Sequence, residues 1–189
     1  ADCIKTGMLH NVEVIETVAE VIEREVLNIY LVVDPVMVAK GGHRLLDVSA
    51  LDALKSLMVT KADLLTPNIP EAKLLTGFNI KDLDTMRRAA YKILELGAKA
   101  VLLKGGHLDS ESLTDLLVTK NSEQTYSGPR LNTKHTHGTG CTMASAIATC
   151  IAQDCPLEEA VQRARDFVFK AIQTAPGIGN GNGPLNHAH

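Results

Sequence analysis

The chain has 189 residues, with 19 Lys+Arg against 22 Asp+Glu and a formal net charge of −3, a length suited to one domain or a large part of one. At 45% hydrophobic and 22% charged it can fill a core, while three Tyr, three Phe and no Trp supply no stacking platform for single-stranded nucleic acid. No Lys/Arg block is present to track a phosphate backbone, and no apolar run approaches the roughly 18–20 residues that span a bilayer.

The N-terminus lacks a signal-peptide pattern. The four cysteines, Cys3, Cys141, Cys150 and Cys155, include no C-x-x-C pair. They read as free thiols of a reducing compartment, which puts the chain in the cytoplasm. The opening ADCIKTGM has no Met and begins inside a short apolar stretch resembling a strand end. It is either a processed start or one that lacks an upstream segment.

Apolar residues from Val12 to Val26 recur at helical spacing, predicting an amphipathic helix. Ile29 to Val33 is a continuous apolar run closed by Asp34-Pro35, a strand buried on both faces. Gly41-Gly42 marks a loop. Leu51 to Met58 suggests a helix with Ser49 as N-cap. Ala62 to Leu65 is a short strand, and Pro70 to Thr76 a short helix with Pro in its first turn and Gly77 past its end. Asp82 to Leu96 is helical, closed by Gly97. Ala100 to Leu103 is a strand running into Lys104-Gly105-Gly106.

Thr114–Thr119 and Glu123–Tyr126 then form a hairpin around a turn at residues 120–122. A loop over 128–137 leads to a small-residue helix from Gly138 to Gln153. Pro156 and Leu157 open a last helix to Gln173, and the tail is Gly/Asn-rich loop. Strands alternating with helices mean parallel βαβ units in a three-layer α/β domain. Ligands bind such sheets beyond the carboxyl ends of the strands.

Those ends carry the candidate chemistry. In His137-Gly-Thr-Gly-Cys-Thr, Gly138, Thr139 and Gly140 open a helix whose first N–H groups lack internal partners. An anion could be cradled there, and Cys141 in the first turn is placed for a lowered thiol pKa and for work as base or nucleophile. An ordinary helix start with a small core Cys is the equally open alternative. Neither a P-loop nor a G-x-G-x-x-G fingerprint occurs. Asn68-x-x-Glu71 opens a helix with oxygens suited to Mg²⁺, or merely with a carboxylate that favours the helix dipole. Asp34 is a second metal or phosphate-site carboxylate, or a turn residue. Lys104 offers a point charge to a phosphate, or is a surface lysine. His135-x-His137 has no third ligand at zinc spacing, and Cys150 and Cys155 read as core residues.

Lys5-Thr-Gly-Met, Asp34-Pro-Val-Met-Val-Ala-Lys-Gly-Gly, Thr66-Pro-Asn-Ile-Pro-Glu-Ala, Lys104-Gly-Gly-His, His137-Gly-Thr-Gly-Cys-Thr and Gly183-Pro-Leu-Asn-His follow one another along nearly the whole chain. In this order they resemble the ribokinase-like superfamily, and within it the hydroxymethylpyrimidine/phosphomethylpyrimidine kinases of thiamine biosynthesis. The resemblance implies a three-layer αβα ribokinase-like fold with a mostly parallel central sheet, as a single domain over residues 1–189. It also implies an ATP- and Mg²⁺-dependent kinase that phosphorylates the pyrimidine's hydroxymethyl group and then the monophosphate. Gly138, Thr139, Gly140 and Cys141 match the anion hole, with Cys141 where most relatives carry an Asp base. Lys104 matches a phosphate-contacting lysine, Asn68 and Glu71 the magnesium motif, and Asp34 a residue near metal and phosphates. Met8 and Val36 match positions lining the pyrimidine pocket.

Family members carry roughly 70 residues before the K-T-G-M stretch, with a G-x-D-x-S-G-G-A-G segment that these 189 residues do not contain. Pyridoxal/pyridoxine kinase is the runner-up, and a non-catalytic ligand-binding relative the reading from another class. The partners implied are the pyrimidine and ATP, with no nucleic acid and no membrane. A homodimer is expected on fold-level analogy alone.

Overall fold

The computed structural model describes residues 1–25, 28–38, 45–108 and 112–189. The expected Gly41-Gly42 loop and the last residue of the first expected helix lie outside these residues. Six strands form one sheet in sequential order. β1 (Cys3–Thr6), β2 (Tyr30–Val33), β3 (Leu64–Leu65) and β4 (Ala100–Leu103) are parallel. β5 (Ser112–Thr119) and β6 (Glu123–Pro129) close the sheet as an antiparallel hairpin. The sheet is therefore mostly parallel, as the alternation of strands and helices predicts.

Successive residues of a strand face opposite sides of a sheet, and the core divides accordingly. Leu31, Val33, Leu65, Val101, Leu103 and Leu116 pack under α1 (Val12–Glu25), α2 (Ala50–Ala53), α3 (Ile69–Thr76) and α4 (Leu83–Glu95). Val32, Leu64, Leu102 and Leu117 pack on the other face, under α5 (Thr139–Ile151) and α6 (Leu157–Gln173). β2, β3 and β4 bury both faces, so these three segments are apolar without a break rather than alternating. Burying a Leu or Ile side chain contributes about 1.5–3 kcal/mol, and two such layers hold the strand ends in a fixed relation.

Several boundaries differ from the sequence expectation for identifiable reasons. Ser49 does not cap α2: its backbone is already helical and its hydroxyl makes no cap bond. The helix instead runs on from Ala53 through a π turn at Leu54–Met58 and ends in a 3₁₀ turn at Val59–Lys61. β6 extends to Pro129, because Leu113 and Ser112 of β5 still pair with Gly128 and Pro129. The following loop is shorter by that much. α5 stops at Ile151, ahead of Asp154, which takes a left-handed backbone (φ 60°).

Gly105, just past β4, lies so close to β5 that a Cβ would collide with the Thr114 carbonyl. Its N–H donates to the buried Asp115 at 2.9 Å, and Asp115 also pairs with Arg165 of α6. This buried group ties the hairpin to the helix layer and fixes the course of the chain leaving β4.

Candidate active site

The carboxyl ends of β1 to β4 converge on Asp34, which follows β2 and is 2% exposed. Its Oδ1 accepts from the Thr66 hydroxyl at 3.3 Å and from Lys104 Nζ at 3.1 Å. Its Oδ2 lies 3.8 Å from Lys5 Nζ and has no hydrogen-bond partner among the described residues. Four strand exits thus meet at one buried carboxylate: Lys5 from β1, Asp34 from β2, Thr66 from β3 and Lys104 from β4. A buried charge is tolerated when it is paired, and here lysines approach both of its oxygens.

Asn68 and Glu71 form a reciprocal capping box at the start of α3. Glu71 N–H donates to Asn68 Oδ1 at 2.9 Å, and Asn68 N–H donates to Glu71 Oε2 at 2.8 Å. The box satisfies two otherwise unpartnered helix N–H groups. It also pins Glu71 at 3% exposure, beside the backbone of Met37. Burial pushes the Glu71 carboxyl up to about 7. Lys104 and the Asn68 N–H pull it down by less, and the Asp34 carboxylate pushes it further up. The backbone of Asn68 bridges to that of Lys104, so the box is anchored to the exit of β4.

The third component is the start of α5. Gly138 is left-handed (φ 85°), and a Cβ on it would touch nothing within 4 Å. Its place is a turn that a side chain would strain, beside open space. A Cβ on Gly140 would lie 3.2 Å from Lys104 Nζ, so the lysine stands directly against the first turn. The Thr139 hydroxyl donates to the Thr136 carbonyl at 2.8 Å and holds the turn.

Cys141 reaches the surface, yet its thiol pKa is raised rather than lowered. Surrounding protein strips water from it, and the Asp34 carboxylate disfavours a second negative charge. Lys5 and Lys104 act in the opposite sense and more weakly. The expectation of a lowered pKa considers only the helix N-terminus; here desolvation and a carboxylate from β2 outweigh it. The other cysteines are free thiols too, but Cys155 is not simply a core residue, because Arg163 donates to its sulfur at 2.7 Å.

The Gly/Asn-rich tail closes over this end of the fold. His137 N–H donates to the Gly183 carbonyl at 3.2 Å, and Asn186 N–H to Ala171 at 3.0 Å. The Thr142 hydroxyl and His187 Nε2 are 3.0 Å apart. A Cβ on Gly183 would collide with His135, so the glycine lets the tail pass.

The structure therefore brings together Asp34, Lys104, Asn68, Glu71, Gly138, Thr139, Gly140 and Cys141. Met8 and Val36 lie just past the ends of the neighbouring strands β1 and β2, and Met8 is 55% exposed. Sequence reasoning missed Lys5 as a site residue, although it lies inside the K-T-G-M stretch, and it missed Thr66. Their positions, Lys5 next to last in β1 and Thr66 just past β3, were the available signal.

The residues present fit Mg²⁺ in a particular way. Asp34 Oδ2 is buried and accepts no hydrogen bond among the described residues, a hard carboxylate oxygen of the kind Mg²⁺ takes. Asn68 Oδ1 and Glu71 Oε2 already accept backbone N–H groups, so their fit is to an ion that keeps its waters. Among the described residues, no three His, Cys, Asp or Glu side chains gather as a metal cluster.

A family model described as phosphomethylpyrimidine kinase matches residues 1–186. The chain belongs to the phosphomethylpyrimidine kinase family. It is 49% identical over 186 residues to the thiamine biosynthesis bifunctional protein ThiED of Geobacter sulfurreducens, covering 98% of this chain and 38% of that protein. It is 43% identical over 187 residues to the hydroxymethylpyrimidine/phosphomethylpyrimidine kinase of Bacillus subtilis, covering 98% of this chain and 69% of that one. An ADP complex of Bacillus subtilis pyridoxal kinase superposes with a TM-score of 0.90 at 33% identity, covering 100% of this chain and 70% of the other. The ribokinase-like fold read from the motifs is thus the fold of this chain.

Proposed function

We propose that the protein carrying this chain transfers the γ-phosphoryl group of ATP to 4-amino-5-hydroxymethyl-2-methylpyrimidine, and then to the resulting monophosphate, giving the diphosphate used in thiamine biosynthesis. The observation that carries this reading is the buried Asp34 held by Lys104 against the glycine-opened N-terminus of α5. Membership of the family and the names of its relatives supply the substrate.

Phosphoryl transfer is mainly positioning and neutralisation of charge on the transferring oxygens. The free N–H groups at the start of α5, with Gly138 and Gly140 clearing the approach, receive those oxygens. Lys104 adds a positive charge beside Gly140. Asp34 would hold Mg²⁺ directly, with Asn68 and Glu71 facing its waters, and the ion would supply positive charge to offset that of the phosphates. Met8 and Val36 line the pyrimidine side. The hydroxyl oxygen forms the new P–O bond as the bond to the bridging oxygen of ATP breaks and ADP leaves. The hydroxyl proton passes to the thiolate form of Cys141, a minority form at neutral pH because the thiol pKa is raised. In the second step the attacking phosphate oxygen is already ionised and needs no base.

Pyridoxal phosphorylation is the second reading, supported by the solved pyridoxal kinase that this chain resembles. A binding module without chemistry is disfavoured by the intact set Asn68, Glu71, Lys104, Gly138, Gly140 and Cys141. A cytoplasmic location is part of the proposal; among the described residues no helix is long and apolar enough to cross a membrane. A homodimer remains part of the proposal on fold analogy.

The test is ADP formation from Mg·ATP by the full-length gene product, with hydroxymethylpyrimidine, its monophosphate and pyridoxal offered separately. Turnover on both pyrimidines and little on pyridoxal supports the reading. Preference for pyridoxal moves the same site to vitamin B6 chemistry. No ADP from a folded protein in any reaction favours the binding module.

A further inference from the structure

Lys5 ends its side chain beside Asp34 Oδ2, a buried carboxylate oxygen that accepts no hydrogen bond among the described residues. Its Nζ is 3.8 Å from Asp34 Oδ2, beyond hydrogen-bond distance. Among the described residues the ammonium donates no hydrogen bond. Its side chain is only 18% exposed, so this is a mostly buried cation with its donors uncommitted. Lysine is a compact charge with three donors, suited to meeting a phosphate as a point charge.

The two lysines also stand on different sides of Asp34. Lys104 lies on Oδ1, 3.2 Å from where a Cβ of Gly140 would be, which is the donor side under the proposed function. Lys5 lies on Oδ2, and a Cβ on Gly7 would be 3.2 Å from its Nζ. Gly7 leads directly into Met8, the exposed apolar residue on the acceptor side.

We propose that Lys5 is the acceptor-phosphate residue: it holds the phosphate of the pyrimidine monophosphate for the second transfer and has no such partner in the first. An oxygen of that phosphate forms the new P–O bond, the bond from the γ-phosphorus to the bridging oxygen of ATP breaks, and ADP leaves. No proton needs to move. Lys5 offsets the charge that would otherwise drive acceptor phosphate and ATP apart, and it turns from Asp34 to the acceptor without crossing the site. The proposal rests on the pyrimidine kinase reading.

The experiment compares wild type, Lys5→Gln and Lys5→Arg of the full-length gene product, with kinetics on both acceptors and calorimetric binding of the monophosphate without ATP. The expected result for Lys5→Gln is a rise of about tenfold or more in KM and Kd for the monophosphate. The KM values for the alcohol and for ATP should change less than about threefold, and Lys5→Arg should restore most of the monophosphate binding. Equal loss of kcat on both acceptors with unchanged KM overturns the inference, leaves the kinase reading standing, and reduces Lys5 to a partner of Asp34. A folded wild type inactive on the monophosphate overturns both.

A footprint on wild type is independent of how the variants fold. Acetylation of Lys5, read by mass spectrometry, should be suppressed about fivefold or more by the monophosphate and not by the alcohol. Equal labelling in the two cases overturns the inference.

Discussion

Lys104 Nζ donates to Asp34 Oδ1 at 3.1 Å across 70 positions of sequence, joining the exits of β4 and β2 over the intervening end of β3. That single ion pair sets the geometry of the site. It holds a cation against the first turn of α5 and leaves the other oxygen of Asp34 facing Lys5.

The capping box at α3 makes Asn68 a structural residue as well as a member of the site. Replacing Asn68 with Ala removes the acceptor for Glu71 N–H and should cost about 1 kcal/mol of stability. For a chain of this size that lowers Tm by about 2–4 °C. Thermal unfolding followed by circular dichroism checks it, and no change in Tm would mean that the box does not persist in solution.

The raised thiol of Cys141 gives a pH signature. The folded protein keeps the proton on sulfur to higher pH than a free thiol does, so its thiolate fraction keeps growing over the alkaline range where a free thiol is already ionised. The rate of the alcohol step should climb with pH by up to about tenfold per unit across that range. The monophosphate step should stay comparatively flat. Cys141→Ala should flatten the first profile and slow that step by about 10- to 100-fold, with less than about a threefold effect on the second. Parallel profiles for the two acceptors would contradict a base role.

Gly183 is predicted to be intolerant of a side chain. A Cβ there collides with His135 and comes within 2.9 Å of the Ile178 carbonyl, so Gly183→Ala must push the tail off the loop that enters α5. The expected outcome is faster proteolysis after residue 177 and a KM for ATP raised about threefold or more, since a few tenths of a kcal/mol in the placement of this loop changes binding measurably. Limited proteolysis and steady-state kinetics read the two effects.

Much of the fold was legible because its signals are local. The unbroken apolar runs at Tyr30–Val33 and Ala100–Leu103 show burial on both faces, and the Pro70/Gly77 asymmetry brackets α3. The turn at 120–122 is marked by polar residues. The π turn in Leu54–Met58 was not legible, because nothing in its composition differs from ordinary helix. Within the site, Asp34, Lys104 and the G-T-G-C stretch could be found at strand and helix ends. The direction of the Cys141 shift could not, since it comes from burial in the assembled fold and from a carboxylate that arrives from β2, more than 100 positions earlier. Lys5 was passed over for the same reason: its partner Asp34 is a neighbour only once β1 and β2 pair.

The most direct test of the site is the rate of ADP formation by Lys104→Gln, compared with wild type and with Lys99→Gln, on hydroxymethylpyrimidine and on its monophosphate. Lys99 is an exposed lysine paired with Asp63 away from the cluster, and its variant serves as the control. Gln at 104 can still donate to Asp34 but carries no charge. The account predicts a loss of about 100-fold or more in kcat on both acceptors for Lys104→Gln, with a native circular dichroism spectrum, and wild-type rates for Lys99→Gln. A folded Lys104→Gln that turns over both acceptors within about twofold of wild type would contradict it.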